Sequence, residues 1–551
     1  MPQYSIGVDY GTNSVRALVV DCSDGREVGS AVFSYPSGED GVITDPTDPN
    51  VARQCPSDHI EGFFESVTQA LLVAKGNDPA FDPSEVVGLG CDSTGSSPLP
   101  VDEIGVPLGT KQQWASDPNA QCWLWKDHTS YAEAEEITSK AREHNLPYLD
   151  KCGGTYSSEW FWSKILHCAR TAPEVFEAAH SWIELQDFVP AYVTGRLVSP
   201  ARGICAAGHK AMFHTEWGGL PKVEFLNSLD PRLGDLRGRL YSTTETADKT
   251  AGSLTPEVAQ RVGLRDGVPV AVGLMDAHAG AVGSGIKPGT LVKIMGTSTC
   301  DLMVGEAGVP DIPGVCGVVP GSVIPGLLGI EAGQSAVGDL FSWAAKQLAP
   351  GSTQAELNDA AAKLAPGETG LVALDWNNGN RTILVDPLLS GLVMGQSLQT
   401  TPVEIYRAMI EATAFGALTI INRIEEYGVK IEEIVTGGGI AEKSPLTMQI
   451  YADVCGRPIK LSRSSQTCAL GAAIFGSIVG GAHPDTASAI RAMTATKDQV
   501  YRPNPEAVGV YRRLYAIYKD LHDAFGTPGL NPEMSHIMKE LISIRKEARR
   551  K

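Results

Sequence analysis

The sequence predicts an α/β protein of two domains that share one core topology. Three observations carry this. The chain has 551 residues, more than one hydrophobic core serves, because cores stop growing at roughly 250–300 residues. Strand-like runs alternate with helical ones, which favours α/β layers over an all-α or all-β chain. The opening string "SIGVDYGTNSVRALVV", Ser5 to Val20, returns in altered form as "TLVKIMGTSTCDLMVG" at Thr290 to Gly305, about half a chain length later. Recurrence at that distance points to a duplicated domain, not to a solenoid of short repeats. The two domains are placed at residues 1–265 and 266–551.

The elements follow in order. "YSIGVDYG", "VRALVVDC" and "REVGSAVFSY" read as three strands, with "SDG" supplying a hairpin-like turn. "SDHIEGFFESVTQALLVA" has apolar residues three and four apart, the mark of an amphipathic helix. "VVGLGCD" is a short buried strand, "GSLTPEVAQRVGL" a short helix, and "RDGVPVAVGLMD" a turn and a new strand. In the second half the Gly-Thr-Ser-Thr hairpin precedes a helix over "GQSAVGDLFSWAAKQL". A strand in "GLVALDW", a polar loop "NNGNR" and a long helix over "TPVEIYRAMIEATAFGALTIINRIEEYG" come next. "IEEIVTGGGIAEKSPLTMQIYADVCG" gives strand, triple-glycine turn and helix, and "KELISIRKEARRK" a basic helical tail whose cations suit a helix C-terminus.

The formal net charge of −19 argues against nucleic acid or an anionic membrane as the main partner. A phosphate-bearing ligand remains compatible, because backbone N–H groups and a metal hold phosphate without net basic charge. The 11 cysteines form no CxxC pair and are odd in number, so neither a disulfide framework nor a zinc site is expected. The start "MPQYSIGVDYG" has no signal-peptide pattern, and no apolar run reaches the roughly 18–20 residues of a membrane span. A cytoplasmic location is expected.

Each Gly-Thr turn exposes N–H groups and hydroxyls between two strands, a nest shaped for phosphate oxygens. Two such turns, one per domain, could grip a polyphosphate across a cleft. Asp9, where the first strand ends, could hold Mg²⁺ beside it, since Mg²⁺ takes few carboxylates plus phosphates. Taken alone, the turn reads equally as a plain turn capped by Asp9. Gly437, Gly438 and Gly439 leave backbone on which a flat ring could lie, or simply make a helix-entry turn; they do not form the GxGxxG of dinucleotide folds. Asp276, after "VPVAVGLM", reads as a helix N-cap or as a general base for a hydroxyl attacking phosphorus. Lys210 in "AAGHKAMFH" and Glu331 in "LGIEAGQSA" read as polyol-binding charges or as surface salt-bridge partners. Trp160 and Trp162 read as core, while Trp125 is balanced between core and a sugar-stacking face.

The first turn, the "GTST" turn, "GLMDAHAG" and "GGGIAEKS" occur in the order seen in the FGGY carbohydrate kinases, which the chain resembles over nearly its whole length. "YSSEWFWSKILH" and "SGLVMGQSLQTTPVEIYRAMIEA" look like that family's two signature regions. More narrowly, "CDSTGSSPLP", "LWKDHT", "AGHK", "WGGLP", "GIEAGQSA" and "LDWNNGNR" resemble the family members that phosphorylate L-ribulose in L-arabinose breakdown. Two places depart from the wider family: Gln396 stands where other members often carry an apolar residue, and "WKDHT" lacks an arginine just after Asp127.

The resemblance implies two actin-like (ribonuclease H-like) ATPase domains with an active-site cleft between them, ATP and Mg²⁺, and a homodimer. It implies Asp276 as catalytic base, with Lys210 and Glu331 on the sugar hydroxyls and the Ser96 to Leu99 loop and Trp125 as nearby wall. Gly11, Thr12, Asn13, Arg16, Gly296, Thr297 and Ser298 would face the ATP phosphates. Gly437 to Gly439 would face adenosine, and Asp9 and Asp276 would lie near Mg²⁺. The rival readings are a kinase of another ketopentose or pentitol (D-ribulose, ribitol, D-xylulose) and an actin-like nucleotide switch without a small-molecule substrate.

Overall fold

A computed structural model describes residues 2–530, 532, 534 and 536–550. Two seven-stranded sheets dominate it. In the first, strands Tyr4–Tyr10, Ser14–Asp21 and Glu27–Ser34 form an antiparallel meander. Val86–Ser93 then joins the free edge of Tyr4–Tyr10 in parallel. The second sheet repeats the plan. Thr290–Met295, Thr299–Gly305 and Leu328–Ala332 are the antiparallel trio, and Glu433–Gly437 pairs in parallel with Thr290–Met295. A meander extended by parallel strands, present twice, is the duplication that the recurring string predicts.

Strands Pro269–Ala271 and Leu274–Met275 pair with Val86–Ser93 and so belong to the first sheet. The run expected as one strand over 269–275 is interrupted at Gly273, where a Cβ would lie 1.9 Å from the Gln186 carbonyl oxygen. The second half also sends a helix into the first. Thr467–Val479 lies on the first sheet so closely that a Cβ on Gly7 would meet the Ala469 carbonyl oxygen at 1.7 Å. It also packs against helix Asp276–Gly283. Small residues at these crossings let backbones touch, which ties the two halves through a compact central layer.

The long helix runs Pro402–Glu426 and starts with a capping box between Thr401 and Glu404, a signal already present as "TPVE". The helix expected from Gly333 begins later, at Gly338. Gln334 is drawn out of helical geometry: its Nε2 donates to Asp375 at 2.7 Å and to the Thr413 carbonyl at 2.8 Å, and its Oε1 accepts from Lys293 at 3.0 Å. The residues before the helix instead fold onto the second Gly-Thr turn. The basic tail is helical over Ile537–Arg550. Among the described residues no helix is long and apolar enough to cross a membrane.

Candidate active site

The parallel pairing of Tyr4–Tyr10 with Val86–Ser93 sets Asp9 directly beside Asp92. Leu274 lies opposite Asp92 on the other side, so the chain delivers Asp276 to the same end of the sheet. Asp276 is the first residue of helix Asp276–Gly283, not its N-cap; Met275 holds that place, and Asp276 Oδ1 accepts from the Ala277 N–H at 2.6 Å. Burial, then the negative charge of Asp9, pushes the Asp276 carboxyl up to about 7. Burial likewise raises Asp9, against the pull of Arg16, whose Nη1 is 3.9 Å from Asp9 Oδ2.

Asp92 is fully buried, and its carboxylate oxygens meet no N–H or hydroxyl donor; their side-chain contact is the Asp9 carboxyl. Burial, then Asp9 and Asp276, drives its carboxyl well above the usual range. Two orphaned oxygens facing two further carboxylates are costly as they stand, and they suit a hard divalent cation. Within "CDSTGSSPLP", Asp92 carries no motif of its own. Its only signal is an acid at the end of a buried strand, the same signal that singled out Asp9.

The two Gly-Thr turns are alike in detail. The Gly11 N–H donates to the Ser14 carbonyl at 2.9 Å, and the Gly296 N–H to the Ser298 carbonyl at 3.0 Å. Asn13, Gly296 and Thr297 are exposed, while Gly11, Thr12 and Ser298 are half-buried. Gln54 Nε2 fixes the first turn through the Thr12 carbonyl at 2.8 Å, and Asn13 Nδ2 donates to the Asp40 carbonyl at 2.5 Å. The second turn is held by the start of helix Gly338–Leu348, where the Val337 N–H donates to the Thr297 carbonyl at 2.8 Å. Gly437 pairs with Ile294, which brings the triple-glycine turn beside Gly296. Gly438 has φ +98°, and a Cβ there would sit 2.4 Å from the Met295 carbonyl oxygen; a Cβ on Gly439 would meet nothing within 4 Å. One glycine permits the close approach, and the next presents open backbone.

Lys210 and Glu331 come together from opposite halves. Lys210 ends helix Ile204–Lys210, and Glu331 lies within strand Leu328–Ala332. Lys210 Nζ donates to Glu331 Oε1 at 2.7 Å, and both side chains are buried. Burial opposes both charges, yet each partner more than reverses it: the Lys210 ammonium is held above its usual range and the Glu331 carboxyl well below. The Trp160 ring lies 5.4 Å from Lys210 Nζ, so this core tryptophan also shields the ammonium. Arg381, from the "NNGNR" loop, reaches across to Glu159 at 3.3 Å.

The remaining expected wall residues sit differently. Trp125 is half-buried and donates through Nε1 to Thr12 Oγ1 at 3.1 Å, so it braces the first turn. Leu99 is fully buried in the core of the first half. Ser96 is fully buried, its hydroxyl donating to Glu184 and its carbonyl accepting from Lys164 at 2.8 Å. Trp162 is core, as expected. Asp127, which no arginine follows in sequence, forms a buried ion pair with Arg53.

The arrangement is therefore two phosphate-shaped turns on facing halves, a carboxylate cluster beside the first, and a paired cation and anion contributed one from each half. Comparisons with known proteins show the family and the fold. Residues 4–283 match the N-terminal domain of the FGGY family of carbohydrate kinases, and residues 291–479 match its C-terminal domain. A ribulokinase from Halalkalibacterium halodurans is 40% identical, over 98% of both chains. One from Mycolicibacterium smegmatis is 40% identical over 100% of this chain and 98% of the relative. Among solved structures, a ligand-bound xylulose kinase from Lactobacillus acidophilus superposes with a TM-score of 0.79 at 20% identity, covering 96% of this chain and 99% of that one. Plasmodium falciparum glycerol kinase with ADP gives 0.77 at 15%, covering 96% and 99%, which supports the shared fold. On the domain matches and on identity across the full length, this chain belongs to the FGGY family of carbohydrate kinases.

Proposed function

We propose that this chain transfers the γ-phosphoryl group of ATP to the C5 hydroxyl of L-ribulose. The observation that carries the reading is the Lys210–Glu331 pair, one charge from each half, in a molecule that carries a raised Asp276 carboxyl near Asp9 and two phosphate-shaped turns. Relatives that match the whole chain are ribulokinases, which supplies the sugar.

In this reading Gly11 to Asn13 and Gly296 to Ser298 take the phosphates from opposite sides, and Arg16 adds a cation behind the first turn. Gly437 to Gly439 lie under the adenosine. Lys210 and Glu331 exchange their direct bond for sugar hydroxyls, which orients the terminal hydroxyl toward Asp276. Asp276 accepts that proton as the oxygen attacks phosphorus; a carboxyl near 7 is tuned for this near neutral pH. Mg²⁺ would be held by Asp9 and Asp92, near Asp276, and when bound it would neutralise phosphate charge. Approach of the two halves excludes water that would otherwise take the phosphoryl group. The labour divides at the cleft, the first sheet giving the first turn and the second sheet the other turn and the nucleotide backbone. On sheet membership we place that division after Met275 instead of after residue 265.

The test is ADP release at saturating Mg-ATP with a panel of L-ribulose, D-ribulose, ribitol, D-xylulose and glycerol. The highest kcat/KM is expected for L-ribulose. Glycerol should be poor, because it is too short to engage both Asp276 and the Lys210–Glu331 pair. A clear preference for D-xylulose or glycerol would refute the sugar assignment and leave a kinase of another polyol.

A further inference from the structure

Behind Lys210 and Glu331 lie two histidines to which the mechanism assigns nothing. His209 Nδ1 is 3.4 Å from Glu331 Oε2, and His278 Nε2 is 3.8 Å from the same oxygen. The two rings stand 4.8 Å apart between centroids. All three side chains are buried. Four of their polar atoms, His209 Nδ1, both nitrogens of His278 and Glu331 Oε2, are buried without any hydrogen-bond partner. Buried polar atoms are nearly always paired, so a cluster of four orphans in one place marks where something polar belongs.

The hydrogen-bond pattern says what kind of atom is missing. Ser322 Oγ lies 3.1 Å from the Val319 carbonyl. Ser322 Oγ also lies 3.0 Å from His209 Nε2, and the donor in that contact is set by the ring tautomer. With Nε2 protonated, Nδ1 is a bare acceptor facing another acceptor, Glu331 Oε2; with Nδ1 protonated, it turns an N–H toward that oxygen at 3.4 Å. Burial disfavours the charged form of both rings. His278, neutral and unpartnered, offers one N–H and one lone pair. With His209 protonated at Nε2, the group has three acceptors without donors, His209 Nδ1, Glu331 Oε2 and one His278 nitrogen, and one N–H without an acceptor. A hydroxyl both donates and accepts, so two neighbouring hydroxyls satisfy two of the acceptors and the N–H. A divalent metal could also use three lone pairs, but the Lys210 ammonium bonded to Glu331 Oε1 opposes a further cation there.

We propose that His209 and His278 read two neighbouring hydroxyls of the sugar beside Glu331, and so set which polyol the pocket accepts. The inference rests on the sugar-kinase reading of the cleft and adds the residues that choose among sugars. His278 lies two residues after Asp276 on one short helix, so a hydroxyl held by His278 fixes the sugar relative to the base. An epimer with one of these hydroxyls inverted would leave an orphan on each side, which is how a hydrogen-bonding site rejects a near-isostere.

The experiment compares wild type with His209→Gln, His209→Leu, His278→Gln and His278→Leu on L-ribulose, D-ribulose and D-xylulose. Binding of a non-hydrolysable ATP analogue serves as the check on folding. Wild-type turnover of L-ribulose tests the underlying reading first; its absence would defeat that reading and this inference with it. Given turnover, each Leu variant should raise KM for L-ribulose by roughly 10-fold or more, leave KM for ATP unchanged, and narrow the preference for L-ribulose over D-ribulose. The Gln variants, which keep a donor and an acceptor, should recover part of the loss. Folded variants with unchanged KM for L-ribulose, or with all sugars weakened equally, would overturn the proposal. So would tight one-to-one Zn²⁺ binding to the wild type that both Leu variants abolish and sugar displaces, because the group would then be a metal site.

Discussion

Replacing Lys210 by Met tests the pair that joins the two halves. The change removes the ammonium while keeping an unbranched apolar stem. It strips Glu331 of the partner bonded at 2.7 Å and leaves a buried carboxylate whose other oxygen already has no partner. Breaking a buried pair from one side costs about 3–5 kcal/mol of stability, because the remaining charge is left uncompensated. Losing one charge-assisted hydrogen bond to the sugar costs about 1.5–3 kcal/mol, or roughly 10- to 150-fold in sugar affinity. The deficit should also depend on pH. With Lys210 present the Glu331 carboxyl titrates below its unfolded value, so its ionised form adds stability above the unfolded pKa and loses it as pH falls. Without Lys210, burial alone raises that carboxyl, so the variant's loss of thermal stability is greatest near pH 7.5 and shrinks toward pH 5 as Glu331 takes up a proton. Thermal unfolding at both pH values, with calorimetric titration of L-ribulose and of an ATP analogue, measures both effects. Unchanged sugar affinity with weakened nucleotide binding, or a stability loss that grows as pH falls, would refute the reasoning.

Three other expectations follow from the same geometry. Asp276→Asn should lower kcat by roughly 10²-fold or more while sugar binding, measured directly, is kept; near wild-type turnover would reduce Asp276 to a helix-terminal residue. In the protein without Mg²⁺, burial and the Asp9 charge raise the Asp276 carboxyl to about 7, so a carboxyl titration followed by ¹³C nuclear magnetic resonance should show a group in that range that Asp276→Asn lacks. Gly438→Ala places a Cβ 2.4 Å from the Met295 carbonyl at a positive φ, so KM for ATP should rise with KM for sugar unchanged; the reverse pattern would remove the triple glycine from the nucleotide side.

The two hairpins were legible because each is a local object: apolar alternation on both sides of a Gly-Thr turn needs no knowledge of distant chain. Asp9 and Asp276 were legible for the same reason, each closing an apolar run. Asp92 closes one too, but its meaning comes from parallel pairing with residues some 80 positions earlier, and parallel register has no local signal. The late start of helix Gly338–Leu348 was hidden because Gln334 is diverted by Asp375, Thr413 and Lys293, three partners far apart in sequence. Trp125 reads from the sequence as core or as a sugar-stacking face, and only the fold shows that its indole N–H donates to Thr12. His209 and His278 stand in quoted strings next to Lys210 and Asp276, and nothing local distinguishes them from ordinary core histidines. Their orphaned nitrogens exist only once the halves meet.

The most direct test of the central claim is the identity of the product. The protein is incubated with Mg-ATP and L-ribulose labelled with ¹³C at C5, and the product is read by ³¹P and ¹³C nuclear magnetic resonance. Phosphorus coupled to C5, appearing in step with ADP, is the predicted result. Phosphate on another carbon, or ATP consumed with the sugar unchanged, would contradict the account.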